Sequence, residues 1–143
     1  MSTTAPPAPT DVVRRFVDRL WNAQDAGAVD EVFAPNAAVH VPGYDTGGPA
    51  DVVDDAEHFW NAFDDVEMVV EDLFAGEDGK VTLRWATSGT HTGTYYGNEP
   101  TGATITMRGT DVFRVADGRV VELWSLWDGL DTYRQLGLLP EGL

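Results

Sequence analysis

The chain has no cysteine, one lysine (Lys80), three histidines and no long apolar run. Without cysteine there is no disulfide, no thiolate nucleophile and no Cys-ligated metal. Three histidines without HExxH or a comparable spacing argue against any metal site. No stretch approaches the ~18 apolar residues of a membrane span, and the N-terminal residues form no apolar signal core. The expectation is a cytoplasmic protein with no membrane partner. Basic residues are scarce as well: nine Lys and Arg stand against 24 Asp and Glu, a net charge of −15. Phosphate binding needs a basic face, so nucleic acid is excluded as a partner.

The acids follow no DxDxDG spacing, which removes a calcium loop. They are interleaved with apolar periodicity and form no charged runs, which removes disorder. What remains is a salt-adapted surface on which acids hold water and counter-ions. That composition resembles proteins of salt-loving archaea, and its cost is self-repulsion at low salt.

With 143 residues, 43% of them apolar, and five Trp, the chain can build one domain with a substantial core. Residues 1–9 are mostly Ser, Thr, Ala and Pro, the composition of a disordered leader. The domain is expected over 10–143. Thr10 can cap a first helix, in which Val13, Phe16, Val17 and Leu20 recur at helical spacing. A second short helix is expected from Ala28 to Phe33, then a strand from Ala37 to Val41. A third helix carries Val52, Ala56, Phe59, Trp60 and Phe63 on one face, with His58 opposite and expected in solvent.

Strands follow: Val66 to Ala75, Val81 towards His91, Ala103 to Val115, and a last one after Asp117-Gly118. Glu77-Asp78-Gly79-Lys80 and Asp117-Gly118 read as hairpin turns. Helices first and long antiparallel strands later argue for an α+β fold, a curved sheet with helices on one face, forming a cone lined by alternate strand residues. In the last strand, alternation from Val120 puts Glu122, Trp124, Leu126 and Asp128 on one face. Asp128 beside Trp124 and Leu126 is either a strand-end surface charge or an acid in an apolar pocket. Glu122 lies roughly 20 Å back along the strand, too far to pair with it.

The segments Gly89-Thr90-His91-Thr92-Gly93, Pro100-Thr101-Gly102 and Asp111-Val112-Phe113-Arg114-Val115 before Asp-Gly are followed by Val121-Glu122, Trp124, Asp128 and Gln135-Leu136-Gly137. Together they resemble the SnoaL-like polyketide cyclase family. Phe59-Trp60 followed by Asp64-Asp65-Val66 extends the likeness. The resemblance implies an NTF2-like cone in which three N-terminal helices pack on a strongly curved, mixed and mostly antiparallel sheet. It also implies a homodimer and a metal-free, cofactor-free intramolecular aldol condensation. In that family an Asp matching Asp128 acts as general acid/base and a cavity His assists it. That His is expected on the strand before the final hairpin, where this chain has Arg114.

The candidate catalytic pair is therefore Asp128 with His91, which sits between Thr90 and Thr92. His40 is a candidate at the cavity mouth, although it alternates with Val39 and Val41 and could equally be a core histidine. Trp124, Leu126, Trp85, Met107, Phe16, Trp60, Phe63 and Tyr95 are the candidate walls for an apolar ligand, and Tyr95 with Tyr96 could cover the cavity. Asp111 alternates with Ile105, Met107 and Phe113 and so could be a buried acid, while Arg108 is expected in a salt bridge on the outer face. Ketosteroid isomerases share the fold, but their base stands where this chain has Val41. Two readings result: a small cofactor-free enzyme performing aldol cyclisation or isomerisation on an apolar carbonyl compound, or a non-catalytic NTF2-like ligand-binding or dimerisation module. An open apolar cavity holding an acid and a His separates the first from the second.

Overall fold

Helix α1 (Pro9–Arg15) opens the fold and runs without a break into a π-helical segment, Phe16–Asn22. The structure is a computed structural model that describes residues 5–42, 44–45, 47–140 and 142, the pair 44–45 by backbone alone. Of the expected leader over 1–9, residues 1–4 lie outside the described ones. Pro7 packs against the β-turn at Gly118, and Pro9 already belongs to the helix. The expected cap at Thr10 is displaced: Ala8 is the N-cap and, having no polar side chain, contributes no side-chain bond, while Pro9 at the first helical position has no N–H to satisfy.

Val12, Val13, Phe16, Val17, Leu20 and Trp21 are all buried on this helix. An α-helix would set Phe16 and Trp21 about 140° apart around the axis. The π-helical turn, with Ala23 N–H donating to Asp18 O, brings residues five apart onto one face. Trp21 therefore joins Phe16, although α-helical spacing leaves it off the stripe.

After α2 (Ala28–Val32) come β1 (Phe33–Val41), the two-residue β2 (Tyr44–Asp45) and α3 (Pro49–Ala62). Four long strands follow: β3 (Phe63–Ala75), β4 (Lys80–His91), β5 (Thr104–Ala116) and β6 (Arg119–Trp127). Helix α4 (Gly129–Gln135) comes last. The sheet order is β2-β1-β6-β5-β4-β3, antiparallel except for the parallel pair β1–β6. This is the mixed, mostly antiparallel sheet of the α+β expectation, although the long third helix enters only after β1 and β2. Both hairpin turns hold two residues at positive φ, Asp78 with Gly79 and Asp117 with Gly118, as a type I′ turn demands.

Register shifts on β3, one beside Asp65 (φ 54°) and one between Val70 and Asp72, interrupt its pairing with β4, and such bulges bend a strand. The π-helical segment packs on β3, α3 on β1 and β3, and α4 on β5. Asn22 locks the first contact by accepting from Met68 N–H (2.7 Å) and donating to Met68 O (3.0 Å). Beyond Gly109 the edge of β5 has no β6 partner. There Asp128 N–H donates to Arg108 O, and Gln135 donates to Thr106 O (2.7 Å) and accepts from Thr106 N–H (2.8 Å). Helix α4 thereby covers an edge that would otherwise expose backbone groups. No helix among the described residues is long and apolar enough to cross a membrane.

Candidate active site

Strand alternation on β4 and β5 builds the cavity floor. Residues 81, 83, 85, 87 and 91 of β4 and 105, 107, 111, 113 and 115 of β5 are buried, so the odd-numbered side chains face the helices. Strand β6 breaks this parity. Arg114 pairs with Glu122 while Val115 pairs with Val120, which leaves Val121 as an extra residue in a bulge. Val120 and then Leu123, Ser125 and Trp127 therefore share the inner side, and Glu122, Trp124 and Leu126 the outer one.

The result is a cavity of about 790 Å³ between the sheet, the π-helical segment and helix α3. Phe16, Trp21, Phe59, Met68, Trp85 and Met107 give it mainly apolar walls. Asp111 lies in its depth, 3% exposed, and its Oδ1 accepts a 2.8 Å hydrogen bond from Ser125 Oγ. Loss of hydration pushes this carboxyl up to about 6, and the negative charge of Asp55 across the cavity adds to the rise. The Trp85 indole N–H, outside strict hydrogen-bond geometry, and the Ser125 hydroxyl pull the other way by favouring the charged form. Trp85 fits there because Gly109 has no side chain: a Cβ at Gly109 would lie 2.3 Å from Trp85 Cζ2.

The mouth is polar and comes largely from one helix. Asp51, Asp55 and His58 recur at i, i+4 and i+7 on α3, and all three line the cavity. His58 is half-buried, stacked at 5.4 Å on Tyr95 and in tilted contact at 4.4 Å with Tyr96, and its Nε2 accepts the Tyr96 backbone N–H at 3.3 Å. This corrects the expected solvent position of His58. Desolvation raises Asp55, while the Tyr96 hydroxyl (3.4 Å) and the neighbouring His58 oppose the rise; Asp55 is open to water yet recessed in the cavity. Tyr95 is buried at the centre of an aromatic group with Phe59, Phe63 and Tyr133.

A family model for the SnoaL-like polyketide cyclases matches residues 11–136. The chain belongs to the SnoaL-like polyketide cyclase family. Among solved structures it is similar to AclR of Streptomyces galilaeus, a candidate hydroxylase, with 27% identity, a TM-score of 0.83, and 94% of this chain and 84% of that chain covered. It is similar also to IdmH of Streptomyces antibioticus, a candidate polyketide cyclase, with 28% identity, a TM-score of 0.80, and 92% and 99% covered. A SnoaL-like protein of Jannaschia shares the fold at 22% identity and a TM-score of 0.82, with 98% and 99% covered. No curated protein sequence matches the chain significantly.

The SnoaL-like frame does not bring the sequence candidates together as expected. Asp128 is exposed and lies outside the cavity lining; its Oδ1 accepts from Asp131 N–H at 3.0 Å as the N-cap of α4. The bulge at Val121 is the physical reason, because it turns the alternation counted from Val120 inside out. Trp124 and Leu126 follow it to the outer face, where Leu126 is 61% exposed. His40 is there too, stacked on Trp124 at 5.5 Å and paired with Glu122 at 2.8 Å. Arg108 pairs with Glu71 at 3.7 Å.

His91 is fully buried behind the cavity wall. Its Nδ1 accepts from Thr101 N–H at 3.1 Å and lies 3.0 Å from Thr101 Oγ1, its ring stacks on Phe63, and its Nε2 has no partner. Phe63 is core, and Trp60 packs edge-on against Trp21 without lining the cavity. Phe16, Trp85, Met107 and Tyr95 do line it. Sequence reasoning missed the Asp51-Asp55-His58 stripe, whose signal was polar residues at helical spacing beside an apolar face.

Proposed function

We propose that this SnoaL-like protein is a cofactor-free acid/base enzyme acting on an apolar carbonyl compound, by aldol cyclisation or isomerisation, with Asp111 as the group that moves the proton. The observation carrying this reading is a buried carboxyl in the floor of a large apolar cavity, with a proton affinity near neutrality. A carboxylate of ordinary pKa, ~4, is a weak base for carbon acids, and raising it toward the working pH is how enzymes make it useful. Asp111 would take the proton from carbon next to a carbonyl; the C–H electron pair becomes the enolate C=C and the carbonyl π pair moves to oxygen. In a cyclisation the enolate carbon then attacks a second carbonyl of the same molecule, and the resulting alkoxide takes back the proton held by Asp111.

The apolar walls favour a largely uncharged ring system. A homodimer formed through the outer sheet face, where Leu126 and Trp124 lie, belongs to the same proposal. The alternative, a binding module without chemistry, would make Asp111 a structural acid satisfied by Ser125.

The test uses 2-tetralone, a bicyclic ketone whose C1 protons exchange with deuterium from D2O once enolised. The native protein is expected to accelerate that exchange above buffer at pH 7, and Asp111→Asn to abolish the acceleration. Binding of 2-tetralone without exchange, or exchange unchanged in the Asn variant, would favour the module.

A further inference from the structure

Neither His91 nor His40 reaches the cavity, and the strand position expected to hold the family's histidine carries Arg114, which faces outward to Glu122 at 3.4 Å. One imidazole does line it. His58 stands at the mouth on α3, facing a cavity whose floor is Asp111. Its Nε2 is occupied by the Tyr96 backbone N–H, so in the neutral ring the proton sits on Nδ1. No other described residue bonds that Nδ1. The ring is clamped between Tyr95 and Tyr96, which fixes its plane.

We infer that His58 is the second catalytic residue of this protein, donating through Nδ1–H to the oxygen of a carbonyl compound whose carbon proton is taken by Asp111. This rests on the acid/base reading of Asp111.

The two stations divide the work by position. Asp111, deep and surrounded by Phe16, Trp85 and Met107, suits the carbon end of the substrate. The imidazole, at the wetter mouth, suits the oxygen, where negative charge develops and a donor is worth most. The proton balance closes. Asp111 gains the carbon proton while the enolate oxygen accepts a hydrogen bond from Nδ1–H; reversal returns that proton to carbon, or carbon–carbon bond formation passes it from Asp111 to the new alkoxide. Asp55 is within electrostatic reach of both groups: His58, three residues on along α3, holds it down, and its own charge raises Asp111. The other ionisable groups facing His58 are Asp51 and Asp54 on α3, Tyr96 on the loop and Tyr133 on α4, the last raised by desolvation.

The location also explains the conformation of the loop. Tyr96 adopts φ 45°, uncommon for a residue with a side chain, and Gly97 follows at φ 78°. That backbone aims the Tyr96 N–H at the imidazole and selects the tautomer with Nδ1–H free.

Deuterium exchange into 2-tetralone, followed from pH 5 to 9 with the full chain, tests the assignment. The native rate should rise as Asp111 ionises and then level off, since the neutral imidazole keeps its Nδ1 proton across this range. His58→Gln should lower the plateau at least tenfold, within the ~10²–10⁴ that one proton-transfer group supplies. It should keep the acid limb, which belongs to Asp111. A merely structural role would leave the plateau unchanged, so an unchanged plateau overturns the inference while leaving Asp111 in place. Loss of the effect of Asp111→Asn would instead overturn the reading beneath it.

A second measurement does not depend on turnover. In 15N-labelled protein, 2-naphthol, whose hydroxyl stands where an enolate oxygen forms, should shift the Nδ1 resonance of His58. Bound naphthol, seen by its fluorescence, with an unmoved His58 resonance would also overturn the inference.

Discussion

Ser125 and Asp111 face each other across β6 and β5 as a register pair, and the serine hydroxyl donates to the carboxylate at 2.8 Å. Together with the Trp85 indole N–H it favours the charged form in an apolar floor, and desolvation still wins, leaving Asp111 at about 6. An acid whose pKa rises on folding stabilises the folded state only while protonated. The contribution is whole below the unfolded value of ~3.9 and is lost as pH rises through about 6.

Stability should therefore record this group directly. Above pH 7 the ionised Asp111 costs on the order of 2–3 kcal/mol relative to an unperturbed acid. Asp111→Asn keeps the shape and removes the charge, so it should be more stable than the native protein at pH 8 by that order, with a smaller difference at pH 4. Urea denaturation at both pH values measures this. A difference independent of pH would mean that the carboxyl is not held in its raised state.

Ser125→Ala removes a hydrogen bond that favours the carboxylate. A hydrogen bond to a charged group contributes ~1.5–3 kcal/mol, so Asp111 should titrate about one pH unit or more higher. The acid limb of the exchange profile, and the 13C shift of the Asp111 carboxyl, should both move to higher pH.

At α4 the expected behaviour is that of a cap. Asp128→Ala should cost about 1 kcal/mol, and Asp128→Asn little, because Asn caps as well as Asp. Exchange into 2-tetralone should be unchanged in both. A tenfold loss of rate in the Asn variant would return Asp128 to the chemistry.

Gly109 gives a sharper packing test. An added Cβ meets both the Trp85 ring, at 2.3 Å, and Leu126 O, at 2.7 Å, and neither can move without disturbing β5 or the cavity floor. Gly109→Ala should lower stability by ~1–3 kcal/mol, the usual cost of overpacking. Thermal melting and the fluorescence of the displaced indole report it.

Salt should stabilise the protein as a whole. Like charges summing to −15 repel, and the Debye length falls from ~10 Å at 0.1 M to ~3 Å at 1 M. A melting temperature that rises across this interval is the expected result, and a flat or falling one would remove the salt-adapted reading of the composition.

The α+β class and the existence of the four long strands were legible in the sequence, as were both Asp-Gly hairpins and the apolar stripes of α1 and α3. Each depends on local rules: period two or 3.6, and the positive φ that Asp-Gly tolerates. The inward position of Asp111 also followed from alternation with Ile105, Met107 and Phe113, because β5 is regular past that point. The chemistry of the site depended on events that pattern cannot see. One extra residue at Val121 reverses the faces of β6, which exchanges Glu122, Trp124 and Leu126 for Leu123, Ser125 and Trp127 and leaves Asp128 outside as a cap. A π-helical turn moves Trp21 onto the face of Phe16. The loop after β4 folds back so that Tyr95 and Tyr96 clamp His58, which lies 38 residues before Tyr96. Period and propensity act on neighbours along the chain, so they placed the elements. Bulges, a π-turn and long-range packing decide which side chains share a cavity, and these only the tertiary structure determined.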